Sequence, residues 1–320
     1  MGKPYRCWTW PKLLLQESSK IGSVRQAELK PELPLRIKPR HVCLFVPGLL
    51  IVLAGVYFFV SRPLRPLRVA LITELRLVYR GEAPVRMKFS RRDGMTQVYI
   101  PAGEFVMGSW REKDSRRQKA HPVYLKAYWI DQVEVTNAMY ALCVAEGGCK
   151  PPASINPYFG RKAYADHPVV YVSWEKAQAY CHWVGGRLPT EAEWEKAARG
   201  VDGRRYPWGS APPDNFLLNF NGVYGDPRPA YDYLPGASPY GLLNMAGNVR
   251  EWVADWFDPD YYLVSPYENP QGPPSGETKS LRGGAYWDNA KQVQTFYRLS
   301  HDPTSPGQNR GFRCVEDVSE

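Results

Sequence analysis

From Asp93 to the C-terminus, glycine and proline recur among closely spaced aromatic residues, and few stretches carry apolar residues at helical spacing. A helical bundle needs long uninterrupted runs with an apolar stripe, and a large regular sheet needs many clean alternations; this punctuation allows neither. What remains is an α+β domain of short elements, rich in irregular structure. Met95–Ser109 (MTQVYIPAGEFVMGS) reads as two short strands around a Pro-Ala-Gly turn, and the alternation of Val123–Ile130 (VYLKAYWI) predicts one further strand. Thr136 caps a helix that runs to about Ala145 and ends at Gly147-Gly148. Ser173 caps a second, with Trp174, Ala177, Tyr180, Cys181 and Val184 on one face. Thr190 and Glu193 form the capping box of a third, which carries Trp194, Ala197 and Ala198 and stops at Gly200. Pro168, after His167, shapes the turn into a VVYVSW strand, and no repeat of fixed period occurs.

Charge divides the chain differently. The 320 residues carry a net +9, yet residues 1–92 hold 18 Lys+Arg against 5 Asp+Glu, leaving 23 against 27 in the remainder. The folded part is therefore mildly acidic, which argues against a nucleic-acid partner, whose footprint belongs on the folded domain. A basic segment beside a membrane accounts for the excess. Val42–Val60 is a run of nineteen residues without a charge, long enough to cross a hydrocarbon core of ~30 Å at ~1.5 Å per residue. A long polar stretch precedes it and no small-x-small cleavage site follows, which favours an uncleaved anchor over a signal peptide. The expected organisation is a basic N-terminal segment (1–41), one transmembrane helix (42–60), a basic juxtamembrane linker (61–92) and a folded domain (93–320). Lys30, Arg36, Lys38 and Arg40 flank one end of the apolar run and Arg62, Arg65, Arg68 and Arg76 the other, so the positive-inside rule returns a tie.

Seven segments of the domain, in order, are PAGEFVMGS (Pro101–Ser109), EVTNAMY (Glu134–Tyr140), HPVVYVSWEKAQAYCHWVG (His167–Gly185), GRLPTEAEWEKAARG (Gly186–Gly200) with YPWG (Tyr206–Gly209), GLLNMAGNVREWVADWF (Gly241–Phe257), LRGGAYW (Leu281–Trp287) and NRGFRCV (Asn309–Val315). Together they resemble the formylglycine-generating sulfatase-modifying factors, over roughly residues 95–315. The resemblance implies a C-type-lectin-like α+β fold. It also implies a structural calcium ion at Asn244, Gly247, Val249 and Glu251, where an amide, backbone carbonyls and one carboxylate offer hard oxygen ligands. A second calcium site in the family falls near Asn219, Asn221 or Asp226, where the loop has diverged. Cys181 and Cys314 match a disulfide the family often makes, and Cys143 and Cys149 stand where they could close a small loop across two glycines. Two pairs suit an oxidising compartment, the alternative being four buried thiols in a reducing one. That breaks the tie in favour of a single-pass membrane protein with its C-terminal domain extracytoplasmic.

Active members of that family hold copper(I) between two thiolates spaced C-x4-C just after an RGGSF-like strand, thiolate being the ligand soft copper prefers. Here the stretch Arg282–Arg298 contains no cysteine, Asp288 or a neighbour stands at the first thiolate position, and Ala285 replaces the serine. No catalytic residue and no copper site is expected. His41, His121, His167, His182 and His301 form no ligand-spaced pair, and no Walker, Rossmann or nucleophile-elbow pattern occurs. In some lectin-like relatives the stretch between RGG and GFR presents variable side chains to ligands. Tyr286, Trp287, Asp288, Asn289 and Arg298 are the candidates here for a protein, peptide or glycan, whereas Arg282, Arg298 and Arg313 also suit salt bridges that hold loops together. The leading expectation is a binding or accessory module; the alternative is an oxidoreductase converting a sulfatase cysteine to formylglycine.

Overall fold

The structure, a computed structural model, describes residues 85–110 and 118–318. The described residues all belong to one compact unit. The apolar run Val42–Val60 lies outside the described residues, among which no helix is long and apolar enough to cross a membrane.

Three small sheets carry the domain. The first joins β1 (Met87–Phe89), β2 (Thr96–Ile100), β5 (Tyr128–Asp131) and β10 (Val315–Asp317) in the order β1-β2-β5-β10, all antiparallel. One row of it runs Met87, Val98, Ile130, Val315 in register, the last three fully buried, so the end of the domain closes against its beginning. This sheet starts inside the stretch read as linker, ahead of Asp93. β3 (Gly103–Met107) pairs with β4 (His121–Leu125). The third sheet has the order β8-β7-β6-β9, from β6 (Arg250–Trp256), β7 (Lys279–Arg282), β8 (Leu299–His301) and β9 (Arg310–Gly311), with β6 and β9 parallel.

The predicted strand at Val123–Ile130 is two strands. Burial falls on Val123 and Leu125, then on Tyr128 and Ile130, so its parity slips by one at Lys126–Ala127. There the chain leaves β3 as its partner and joins β2. The VVYVSW stretch forms no strand, because Tyr171 at φ 60° breaks its alternation.

The three helices stand where their caps place them. α1 (Asn137–Ala145) starts at Thr136, whose hydroxyl accepts from Met139 N, and ends before Gly147 at φ 76°. α2 (Trp174–Trp183) is capped by Ser173. α3 (Glu191–Arg199) carries both arms of the Thr190–Glu193 capping box. α1 and α2 pack through stacked Tyr140 and Tyr180 rings, with Phe312 edge-on to both. Disulfides Cys143–Cys149 and Cys181–Cys314 lie in the same cluster, the second tying α2 to the residue before β10.

All nine residues of α3 are buried, five of them charged. Glu191 receives Arg298 through Nε (2.8 Å) and Nη2 (2.9 Å) and Arg282 through Nη1 (3.1 Å). Glu195 receives Arg282 Nη2 (2.6 Å), Arg199 Nη1 (2.7 Å) and Gly108 N (2.7 Å). Lys196 donates to the carbonyls of Pro101 and Gly103, and Trp194 donates to Glu251. Burial pushes the Glu191 carboxyl up, but Arg298 and Arg282 outweigh it and hold the group below its ordinary value. Buried ions are tolerated only with such complete pairing, since each costs several kcal/mol to desolvate.

The two disulfides close loops of very different length, with sequence separations of 133 and 6. Chain entropy then assigns about 5 kcal/mol to Cys181–Cys314 and about 2 kcal/mol to Cys143–Cys149. Urea unfolding of the two double-alanine variants is expected to show that order, and equal losses would contradict it.

Candidate functional site

The turn after β7 sets the site. Gly283 and Gly284 sit at φ 88° and 75°, and a Cβ on Gly284 would lie 2.8 Å from Val293 Cγ1 and 2.9 Å from Gln292 O. Only glycine lets the chain fold back here. The returning loop is stitched to neighbouring loops by backbone bonds: Tyr286 N to Asn248 O, Gly222 N to Tyr286 O, and Asn221 N to Asp288 O.

Asp288, at the position expected for the first thiolate, is 3 % exposed. Its Oδ1 accepts from Arg250 Nη2 (2.6 Å), and its Oδ2 from Arg250 Nε (2.9 Å) and Ala285 N (2.8 Å). A C-x4-C spacing from Asp288 falls on Val293, which is fully buried beside Tyr206, Leu218 and Phe220. Among the described residues every cysteine is in a disulfide. A carboxylate–guanidinium pair and an aliphatic side chain therefore occupy the two positions that the resemblance would give to thiolates.

The five candidate ligand residues do not share one surface. Trp287 and Asn289 are exposed, whereas Tyr286, Asp288 and Arg298 are buried. Arg298 is a correction to its reading as a ligand group: its side chain is committed to Glu191 and, through Nη1, to the Asp258 carbonyl. Asn289 closes its own turn, accepting from the backbone N–H of Lys291 and Gln292. Tyr286 and Trp287 pack together, centroids 4.9 Å apart. Burial, with Asp226 and Tyr171 adding to it, pushes the Tyr286 hydroxyl up to about 12. Sequence reasoning passed over Arg250, Arg310 and Tyr171, which also border this region; Arg250 and Arg310 stood inside the motif lines NMAGNVREW and NRGFRCV without an assigned role.

The four residues tied to calcium occupy the next turn. Gly247 has φ 74°, and a Cβ there would meet Asn219 O at 2.2 Å. Asn244 and Asn248, also at positive φ, donate to the two oxygens of the buried Glu134 (3.0 and 2.9 Å). Burial pushes the Glu134 carboxyl up to about 8, with Arg313 opposing. The Asn244 Oδ1 is buried without a hydrogen-bond partner, as is the Asn219 Oδ1. Val249 is fully buried. Glu251 has both oxygens engaged, by Arg313 Nε and Nη2 (2.7 Å each) and by Trp194 Nε1 (2.8 Å). Among the described residues no three His, Cys, Asp or Glu side chains gather into a metal-binding group.

Comparison with known proteins places the domain in a family. The family model for the sulfatase-modifying factor enzyme 1-like domain matches residues 82–318. The formylglycine-generating enzyme of Streptomyces coelicolor is 35% identical over 280 residues, covering 69% of this chain and 89% of that protein. The serine/threonine-protein kinase pkn1 of Chlamydia caviae is 36% identical over 239 residues, 69% of this chain but 38% of its own length. The structure of PvdO from Pseudomonas aeruginosa shares the fold, with a TM-score of 0.63, 23% identity, and coverage of 74% of this chain and 100% of that one. The seven motifs in order, the double-glycine turn and the match over most of its length agree: the chain belongs to the sulfatase-modifying factor enzyme 1-like family.

Proposed function

We propose that this domain is a recognition or accessory module of its family, without copper oxidase activity, anchored by Val42–Val60 and facing an extracytoplasmic space. The observation that carries the reading is the Asp288–Arg250 ion pair. A carboxylate held by a guanidinium and a backbone N–H is a poor ligand for copper(I), which selects thiolates. The exposed Trp287, with the exposed Asn289 near it in sequence, suits a protein, peptide or glycan surface. The two disulfides support an oxidising compartment. The second reading, oxidation of a sulfatase cysteine, is favoured by the names of relatives such as the Streptomyces coelicolor enzyme.

A structural calcium ion at Asn244, Gly247, Val249 and Glu251 is part of the same proposal. The fit rests on the Asn244 oxygen, which is buried and unpartnered. Glu251 would have to share an oxygen already hydrogen-bonded to Arg313 or Trp194. Such an ion would stiffen turns that lack a ladder of backbone hydrogen bonds, and would take no part in chemistry.

Two measurements test these claims. The full chain, with disulfides intact, is incubated with copper(I), oxygen and a sulfatase-type Cys-x-Pro-x-Arg peptide, and the product is read by mass spectrometry. No aldehyde is expected, and turnover would overturn the reading in favour of oxidation. For calcium, the unfolding free energy is compared in EDTA and in excess calcium. A gain of about 2.7 kcal/mol is expected at a hundred times Kd. Asn244→Gly, which removes the oxygen and suits the positive φ of that position, is expected to abolish the gain. Identical stabilities with and without calcium would remove the ion from the account.

A further inference from the structure

Where β6 and β9 run parallel, Arg250 stands in register with Arg310. Residues in register on adjacent strands share a face, with backbones about 4.8 Å apart. Two guanidinium groups so placed repel unless each has a counter-charge. Arg250 has one in Asp288, at 2.6 Å. Arg310 has no ion pair: among the described residues no carboxylate lies within ion-pair distance of it, and the exposed Asp302 acts on it only from farther off. Its side chain is nonetheless 7 % exposed, and its Nε is buried without a hydrogen-bond partner.

The surroundings hold Arg310 in place without forming an ion pair with it. Its guanidinium lies 6.0 Å from the Trp252 ring centroid. A Cβ on Gly307 would fall 2.3 Å from its Nη2, so a side chain at 307 is incompatible with this placement. The Gly307 carbonyl accepts from Tyr171 N, and the neighbouring Gln308 accepts from the Tyr171 hydroxyl (3.3 Å). His301, on β8, also has its Nδ1 buried without a partner. Burial and then the Arg310 charge hold that imidazole below its ordinary value, so it is a neutral donor or acceptor near pH 7. Asp302, exposed and beyond ion-pair distance of Arg310, accepts from Thr304 N (2.8 Å) and Thr304 Oγ1 (2.7 Å) through Oδ1.

A nearly buried arginine without a counter-ion is an expensive feature unless something else brings the negative charge. We propose that Arg310, flanked by Arg250 and His301, binds the carboxylate of a ligand that docks beside Tyr171. The charge balance selects a carboxylate over a phosphate. One guanidinium lacks an ion-pair partner, and a dianion would place its second charge near Asp288 and Asp302. The planar guanidinium fork also matches a carboxylate in two parallel N–H···O bonds. The inference rests on reading the domain as a recognition module, and it names the group recognised.

Thermal unfolding of the full chain, titrated at constant ionic strength and pH 7.5, is the test. The probes are sodium N-acetylglycinate, the uncharged N-acetylglycinamide and sodium phosphate. The acid is expected to raise the midpoint saturably by a few degrees, the amide not at all, and Arg310→Gln is expected to abolish the rise. Arg310→Lys keeps the charge without the fork and is expected to bind the acid at least tenfold more weakly, which covers the case in which the glutamine variant does not fold. Phosphate acting as strongly as the acid would overturn the carboxylate assignment. Equal effects of acid and amide, no effect of the acid, or a rise that survives loss of the arginine would overturn the site. Turnover in the copper assay would overturn the recognition reading and leave this titration standing as its own result.

Discussion

The interaction on which the rest depends is the buried pairing of guanidinium and carboxylate groups around α3. Glu191 and Glu195 face the same way one helical turn apart, and between them they take Arg298, Arg282 and Arg199. Each arginine then carries a second contact to a loop: Arg298 to the Asp258 carbonyl, Arg282 to Thr295, and Arg199 to Gly108 and Gly203. Glu251 and Arg313 repeat the device one layer away, with Arg313 also donating to the carbonyls of Asp131, Gln132 and Leu243. A domain with three small sheets cannot satisfy its loop carbonyls by ladder bonds alone, and an unpaired buried carbonyl is costly. Arginine, with five donors in a rigid fork, closes that deficit.

This arrangement explains what the sequence made legible and what it hid. The caps at Thr136, Ser173 and Thr190 are local chemistry, and all three helices begin where those side chains direct. The full burial of α3 was not legible, because Glu, Lys and Arg read as solvent-facing and their partners lie far off in sequence; Arg298 and Glu191 are separated by 107 positions. The same distance effect made Arg298 look available to a ligand. The slip at Lys126–Ala127 escaped notice because alternation continues on both sides and only its parity changes. β1 was hidden in a basic segment whose three residues gain strand character only by pairing with β2.

The same physical logic shapes the loop after β7. Its double-glycine turn, whose chain path needs no Cβ, is retained, while the groups set upon it carry charge and no free thiol. Asp288 shows how such a position can be absorbed by structure: it closes the turn through Ala285 N and neutralises Arg250. Arg310, one strand over, receives no such partner, and the contrast between two arginines in register marks where a ligand's charge fits.

The most direct test of the ion-pair framework is a double-mutant cycle on Glu191 and Arg298, read by urea unfolding of Glu191→Gln, Arg298→Met and the combined variant. Glu191→Gln leaves the buried Arg298 without its carboxylate and is predicted to cost about 3–5 kcal/mol, whereas Arg298→Met, after which Glu191 keeps Arg282, is predicted to cost less. The combined variant is predicted to lose less than the sum, with a coupling of about 1 kcal/mol or more. Single losses near zero, adding without coupling, would mean that these charges do not hold the loops to α3, and would contradict the account.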